Sequence, residues 1–77
     1  MFEEHDRIVL TGNVAEDGLK EGDVGTIVYV YGNANAFEVE FLTLDGDTAA
    51  IVAVSGELLR PVNNTDITHA RSIQVSP

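Results

Sequence analysis

Five consecutive residues, Phe37-Glu38-Val39-Glu40-Phe41, alternate apolar and acidic side chains without interruption. Successive side chains of a strand point to opposite faces, so Phe37, Val39 and Phe41 belong to a core face and Glu38 and Glu40 to water. Asp45-Gly46 follows where a hairpin needs its turn; this pair suits a type I′ turn, whose two central residues both take positive φ. Residues 48–54 return as a strand, but Ala49, Ala50, Ile51, Val52, Ala53 and Val54 are apolar on both faces. A strand without alternation is expected to be central in the sheet or covered by the C-terminal tail.

The remaining segments fit the same β architecture. Arg7-Ile8-Val9-Leu10-Thr11 is a first strand, closed by Gly12-Asn13. Residues 12–23 read as a loop, in which Gly12, Gly18 and Gly22 limit any helix around Glu16, Asp17, Lys20 and Glu21 to a brief turn. Residues 24–31, Val-Gly-Thr-Ile-Val-Tyr-Val-Tyr, give the strongest strand signal, with Gly25 marking a bulge or a close backbone approach. Gly32-Asn33-Ala34-Asn35-Ala36 is the next connection, where Gly and Asn tolerate left-handed conformations. Ser55-Gly56-Glu57 begins a turn, and Leu58-Leu59-Arg60-Pro61-Val62 reads as a 3₁₀ turn running into a last edge strand, since Pro61 cannot donate to a ladder. Asn63-Asn64-Thr65 marks a linker, and Ile67, Ile73 and Val75 offer the anchors of an added strand.

About five short antiparallel strands with no long helix predict an all-β fold, a small SH3-like barrel over residues 1–62 with a tail at 63–77. Closure of such a barrel would also hide sheet edges. Seventy-seven residues allow one domain with a thin core, and the absence of cysteine denies it disulfides and thiolate metal sites. The acidic start Met1-Phe2-Glu3-Glu4-His5-Asp6 is unlike a signal peptide, and no apolar run is long enough to cross a bilayer, so a cytoplasmic location is expected. Thirteen acids against four Lys and Arg give a formal net charge of −9. That balance opposes nucleic acid and anionic membranes and favours a basic protein partner.

Two stretches resemble known proteins. Gly22-Asp23-Val24-Gly25-Thr26-Ile27-Val28 resembles the turn-and-strand unit of SH3-like and KOW-type barrels, and Glu57-Leu58-Leu59-Arg60-Pro61-Val62 resembles the 3₁₀ turn and terminal strand that close them. The order Asp-Arg-Ile-Val-Leu-Thr, Gly-Leu-Lys-Glu-Gly-Asp-Val-Gly-Thr-Ile-Val, Phe-Glu-Val-Glu-Phe-Leu-Thr-Leu-Asp-Gly and Leu-Arg-Pro-Val is similar to a small bacterial family, domain of unknown function 4926, over roughly residues 6–62. The resemblance transfers no catalytic residues. It implies a stand-alone partner module, and the siting of some members beside genes for toxin-like proteins implies neutralisation of a partner.

Candidate sites are few. Glu16, Asp17, Glu21 and Asp23 concentrate charge on one loop, either as a solvated surface or as a contact for a basic partner. A calcium loop would need further oxygen ligands after Asp45-Gly46-Asp47, and zinc would need more imidazoles than His5 and His69, so no metal or other cofactor is expected. Ser55, Ser72 and Ser76 lack the surroundings of a nucleophile, and Glu38 and Glu40 share one wet face rather than two contrasting environments, so no enzyme is expected. Tyr29 and Tyr31, two apart on one strand, share a face. Outside, they form an aromatic anchor for a partner; inside, Ile27 joins them and Val28 and Val30 turn outward. With no Trp and five aromatics, a proline-rich ligand is not expected.

These residues predict a protein-binding module in which Tyr29, Tyr31, Glu16, Asp17, Glu21, Glu38 and Glu40 meet a basic partner, as an antitoxin or immunity-like neutraliser would. An accessory subunit burying residues 49–54 or 67–75 is the alternative, ahead of nucleic-acid binding. The tail leaves both a monomer and a tail-mediated dimer open.

Overall fold

A computed structural model describes residues 2–73. Five strands, β1 (Arg7–Leu10), β2 (Val24–Val30), β3 (Ala36–Leu42), β4 (Thr48–Ser55) and β5 (Leu59–Pro61), form one antiparallel sheet in the order β4-β3-β2-β1-β5. The fold is all-β, a small sheet of the SH3-like kind. Its only helical elements among the described residues are two 3₁₀ turns, Ala15–Asp17 and Gly56–Leu58. The second is capped by Ser55, whose Oγ accepts from the Glu57 amide at 3.3 Å. It delivers the chain to β5 at the edge of the sheet, where Pro61 costs no ladder bond.

Alternation in β3 works as its sequence dictates: Phe37, Val39 and Phe41 are buried and Glu38 and Glu40 are not. The three join Ile8, Leu10, Leu19, Ile27, Val54 and Leu59 in a single core. Full burial of one such side chain stabilises by about 1.5–3 kcal/mol. Leu19 comes from the loop between β1 and β2, held there by the bridge between Val14 and Leu19, and is almost wholly buried.

Four local expectations are decided, the first for one of its two alternatives and the other three by correction. The irregularity in β2 lies at Val28, between the pairs Ile27–Val39 and Tyr29–Glu38, and not at Gly25. Gly25 instead marks a close approach, because a Cβ there would lie 2.6 Å from Val39 Cγ1 and 2.8 Å from Phe41 Cε2. The Asp45-Gly46 turn is not type I′, since Gly46 alone has positive φ (92°) and its N–H donates to the Thr43 carbonyl at 2.9 Å. In the β2–β3 connection the left-handed residue is Ala34 (φ 60°), neither a Gly nor an Asn, pinned by its amide donating to the Tyr31 carbonyl at 2.8 Å.

The fourth concerns β4. It is not central, and among the described residues the tail does not cover it: it ends the sheet, paired along one side with β3. Among the described residues β4 and β5 do not pair, so the barrel stays open and both edges persist. The tail runs elsewhere. Arg60 grips Asp66 with two hydrogen bonds of 3.0 Å, and Arg71 reaches Asp23, just before β2, and the Gly18 carbonyl in the β1–β2 loop. Residues 63–73 form no strand; Ile67 is 91% exposed and Ile73 packs against the core. Val75 lies outside the described residues.

Candidate functional site

The extra residue at Val28 decides where the tyrosines go. Ile27 stays in the core opposite Val39, while Val28, Tyr29 and Tyr31 emerge on the outer face and Val30 turns back to lean on the core. Without that bulge, strict alternation from Ile27 would have buried both tyrosines. Tyr29 is 49% and Tyr31 37% exposed. Their rings stand edge to face, 5.1 Å between centroids at 81°. That geometry matches the preference of aromatic quadrupoles.

Glu38 lies directly across from Tyr29 and accepts from the Tyr31 hydroxyl at 3.3 Å. The charge of Glu38 is the main cause that raises the Tyr31 phenol above its ordinary value, with burial, that hydrogen bond and Tyr29 adding to it. Glu40 is the next residue on the same face, between Thr26 on β2 and Ile51 on β4, and accepts from the Thr48 hydroxyl at 2.7 Å. Register therefore places Tyr29, Tyr31, Glu38, Glu40, Ile51 and Ala53 on one outer surface. Beside it is an open hollow of about 370 Å³, lined by Arg7, Thr26, Glu40, Leu42 and Leu44 among others.

Glu16, Asp17 and Glu21 are exposed but belong to a different place. They occupy the β1–β2 loop at the start of β2, whereas Tyr29 is near its end, up to roughly 20 Å along the strand. The structure thus splits the sequence candidates into an aromatic–acidic face and a separate acidic loop. Asp23 is taken up by the fold: its carboxylate receives Arg71 Nε at 2.9 Å, Arg71 Nη2 at 2.5 Å and the Lys20 amide at 2.8 Å. Burial pushes this carboxyl up, but the Arg71 hydrogen bond, the Lys20 amide and the two nearby cations outweigh it and leave the group below its ordinary value.

The sequence presents Ile51 and Ala53 only as part of the apolar strand 49–54, the contact of the accessory-subunit alternative, and does not single out the Arg7–Glu40 hollow. Cross-strand register is what brings them to the tyrosines, and the uniform apolarity of residues 48–54 concealed which of its side chains face outward. Among the described residues no three His, Cys, Asp or Glu side chains converge to hold a metal ion, and no helix is long and apolar enough to cross a membrane.

No curated protein and no solved structure matches the chain. The profile of one family, described as Domain of unknown function (DUF4926), matches residues 4–61, which span β1 to β5 and every residue of the aromatic–acidic face. The chain belongs to the DUF4926 family.

Proposed function

We propose that this protein is a non-enzymatic protein-binding module whose outer sheet face docks a basic partner, in the manner of an antitoxin or immunity-like neutraliser. The observation that carries the reading is the pair of exposed tyrosines, packed edge to face and set against Glu38 and Glu40. Tyrosine supplies large contact area with few rotamers to freeze, and neighbouring carboxylates select cationic partners over acidic ones. Charge supports the same reading: residues 24–58 carry five acids and neither Lys nor Arg. A cytoplasmic site of action fits a partner made in the same cell.

Pull-down from the native host at physiological salt tests this. One stoichiometric basic protein is expected, and Tyr29→Ala together with Glu38→Gln should release it. Recovery of no partner, or of one indifferent to both substitutions, refutes the assignment of this face. The second reading, an accessory subunit of an enzyme complex, is favoured by one feature, the uncovered apolar edge of β4. A subunit of that kind would self-associate in isolation, which light scattering would reveal.

A further inference from the structure

The free side of β4 has a definable polarity. In an antiparallel ladder, residues that exchange hydrogen bonds alternate with residues that do not. The Gly56 amide donates to the Asn35 carbonyl at 3.0 Å, in the same register as the β3–β4 pairs. Counting back by twos, Val54 and Val52 bond to Phe37 and Val39, so Ile51 and Ala53 turn their N–H and C=O groups away from β3.

Natural edge strands are usually blunted by Lys, Pro, a bulge or a cover. The β4 sequence Thr-Ala-Ala-Ile-Val-Ala-Val-Ser holds no charge, no Pro and no Gly over eight residues. Its single irregularity lies at the hairpin end, near Phe41 and Leu42, and leaves 50–55 in regular register. Nothing among the described residues covers it, while the tail that could have done so is tied to Asp23.

Charge around this edge selects its occupant. Ala53 is directly opposite Glu38 and Ile51 is directly opposite Glu40. A strand added beside β4 would lie two strand spacings, roughly 10 Å, from those carboxylates. Lys or Arg on its outer face would lay its aliphatic stem across Ala53 or along Ile51 and carry its head to Glu38 or Glu40. Asp45 and Asp47 flank one end of the edge and Glu57 the other. A second copy is disfavoured by the same charges: antiparallel pairing that sets Ile51 opposite Ala53 of the other copy, as the outward groups require, brings Asp47 of each chain opposite Glu57 of the other.

We propose that the β4 edge, through the outward amides and carbonyls of Ile51 and Ala53, accepts an extended segment of a partner protein whose outward side chains are Lys or Arg, adding a sixth strand to the sheet. This rests on the reading of the chain as a protein-binding module and specifies how that partner engages. The mode is strand addition, with main-chain bonds supplying affinity and alternate side chains supplying specificity.

The test uses the full chain, isotopically labelled, with a short peptide alternating lysine with valine and threonine, and a matched peptide carrying glutamate for lysine. The lysine peptide should slow hydrogen exchange at the Ile51 and Ala53 amides about tenfold or more, and the glutamate peptide should not. Ala53→Pro removes an amide that no ladder bond uses, so it should weaken binding about tenfold while the melting temperature holds. If that variant loses its fold, amide exchange on the unsubstituted chain decides alone. Binding with unchanged exchange at both amides overturns strand addition but leaves the module reading standing. Protection of the same amides without peptide, rising with protein concentration, makes a second copy the occupant and overturns the proposal. Failure of the lysine peptide together with an empty pull-down removes both.

Discussion

Gly25→Ala tests the packing on which the whole sheet depends. An alanine Cβ at this position would sit 2.6 Å from Val39 Cγ1, 2.8 Å from Phe41 Cε2 and 3.0 Å from the Glu40 carbonyl oxygen. Ordinary contacts lie at 3.4–4 Å, so Val39 would have to retreat by about an ångström. It has nowhere to go, because Val39 and its cross-strand neighbour Ile27 are both fully buried. The Glu40 carbonyl, being backbone, cannot rotate aside.

Overpacking of this kind costs about 1–3 kcal/mol, and three simultaneous clashes place this site near the top of that range. Against it, replacing Gly by Ala in a strand recovers about 0.5–1 kcal/mol of backbone entropy. The net expectation is a loss of about 2 kcal/mol, which in a domain of this size lowers the melting temperature by roughly 8–16 °C. Thermal and urea unfolding followed by circular dichroism measure it. Gly32→Ala is the control: nothing lies within 4 Å of a Cβ there and its φ is not left-handed, so its melting temperature should hold or rise slightly. A Gly25→Ala variant that melts with or above the parent would refute the claim that β2 and β3 meet at van der Waals limits around this glycine.

Two further outcomes follow from the charged groups. The Asp23 carboxyl is depressed in the folded state, so its contribution is complete above the unfolded value of about 3.8 and is lost as pH falls through the lower folded value. Arg71→Ala should therefore reduce stability at neutral pH by about 1 kcal/mol and by much less in acid, read as the difference between urea midpoints across that window; equal losses at both ends would contradict the assignment. Glu38→Gln should bring the Tyr31 phenol back toward its ordinary value of 10.0, since the Glu38 charge is the chief cause of its rise. A spectrophotometric tyrosinate titration that is identical in the two proteins would refute it.

Sequence made the strands legible wherever side-chain chemistry reports directly on burial. β3 alternates strictly because one face is core and the other is wet, and both facts are written in Phe37 to Phe41. Pro61 and the 3₁₀ turn before it were equally readable, because each has one backbone role. Legibility failed where a feature belongs to a pair of strands. The extra residue at Val28 exists only relative to β3, and it alone turns Tyr29 and Tyr31 outward. Uniform apolarity in β4 resembled a covered strand, although burial there is confined mainly to Val54, with Ala49, Ala50 and Val52 half-buried. Leu19 entered the core from an irregular loop, where no period announces it. The candidate face was named in part, and its other half, Ile51 and Ala53, waited on register.

Uneven placement of the four cations has a consequence for kinetics. Arg7, Arg60 and Arg71 sit on or beside β1, β5 and the tail, Lys20 lies in the loop between β1 and β2, and β2 through β4 have none. Residues 24–58 carry −5 with no cation among them, whereas the eight acids elsewhere are offset by all four cations to −4, so the β2–β4 side presents negative potential without local relief. A cationic partner approaching through water would be drawn in by that charge before collision, so encounter rate, more than residence time, should fall steeply as ionic strength rises.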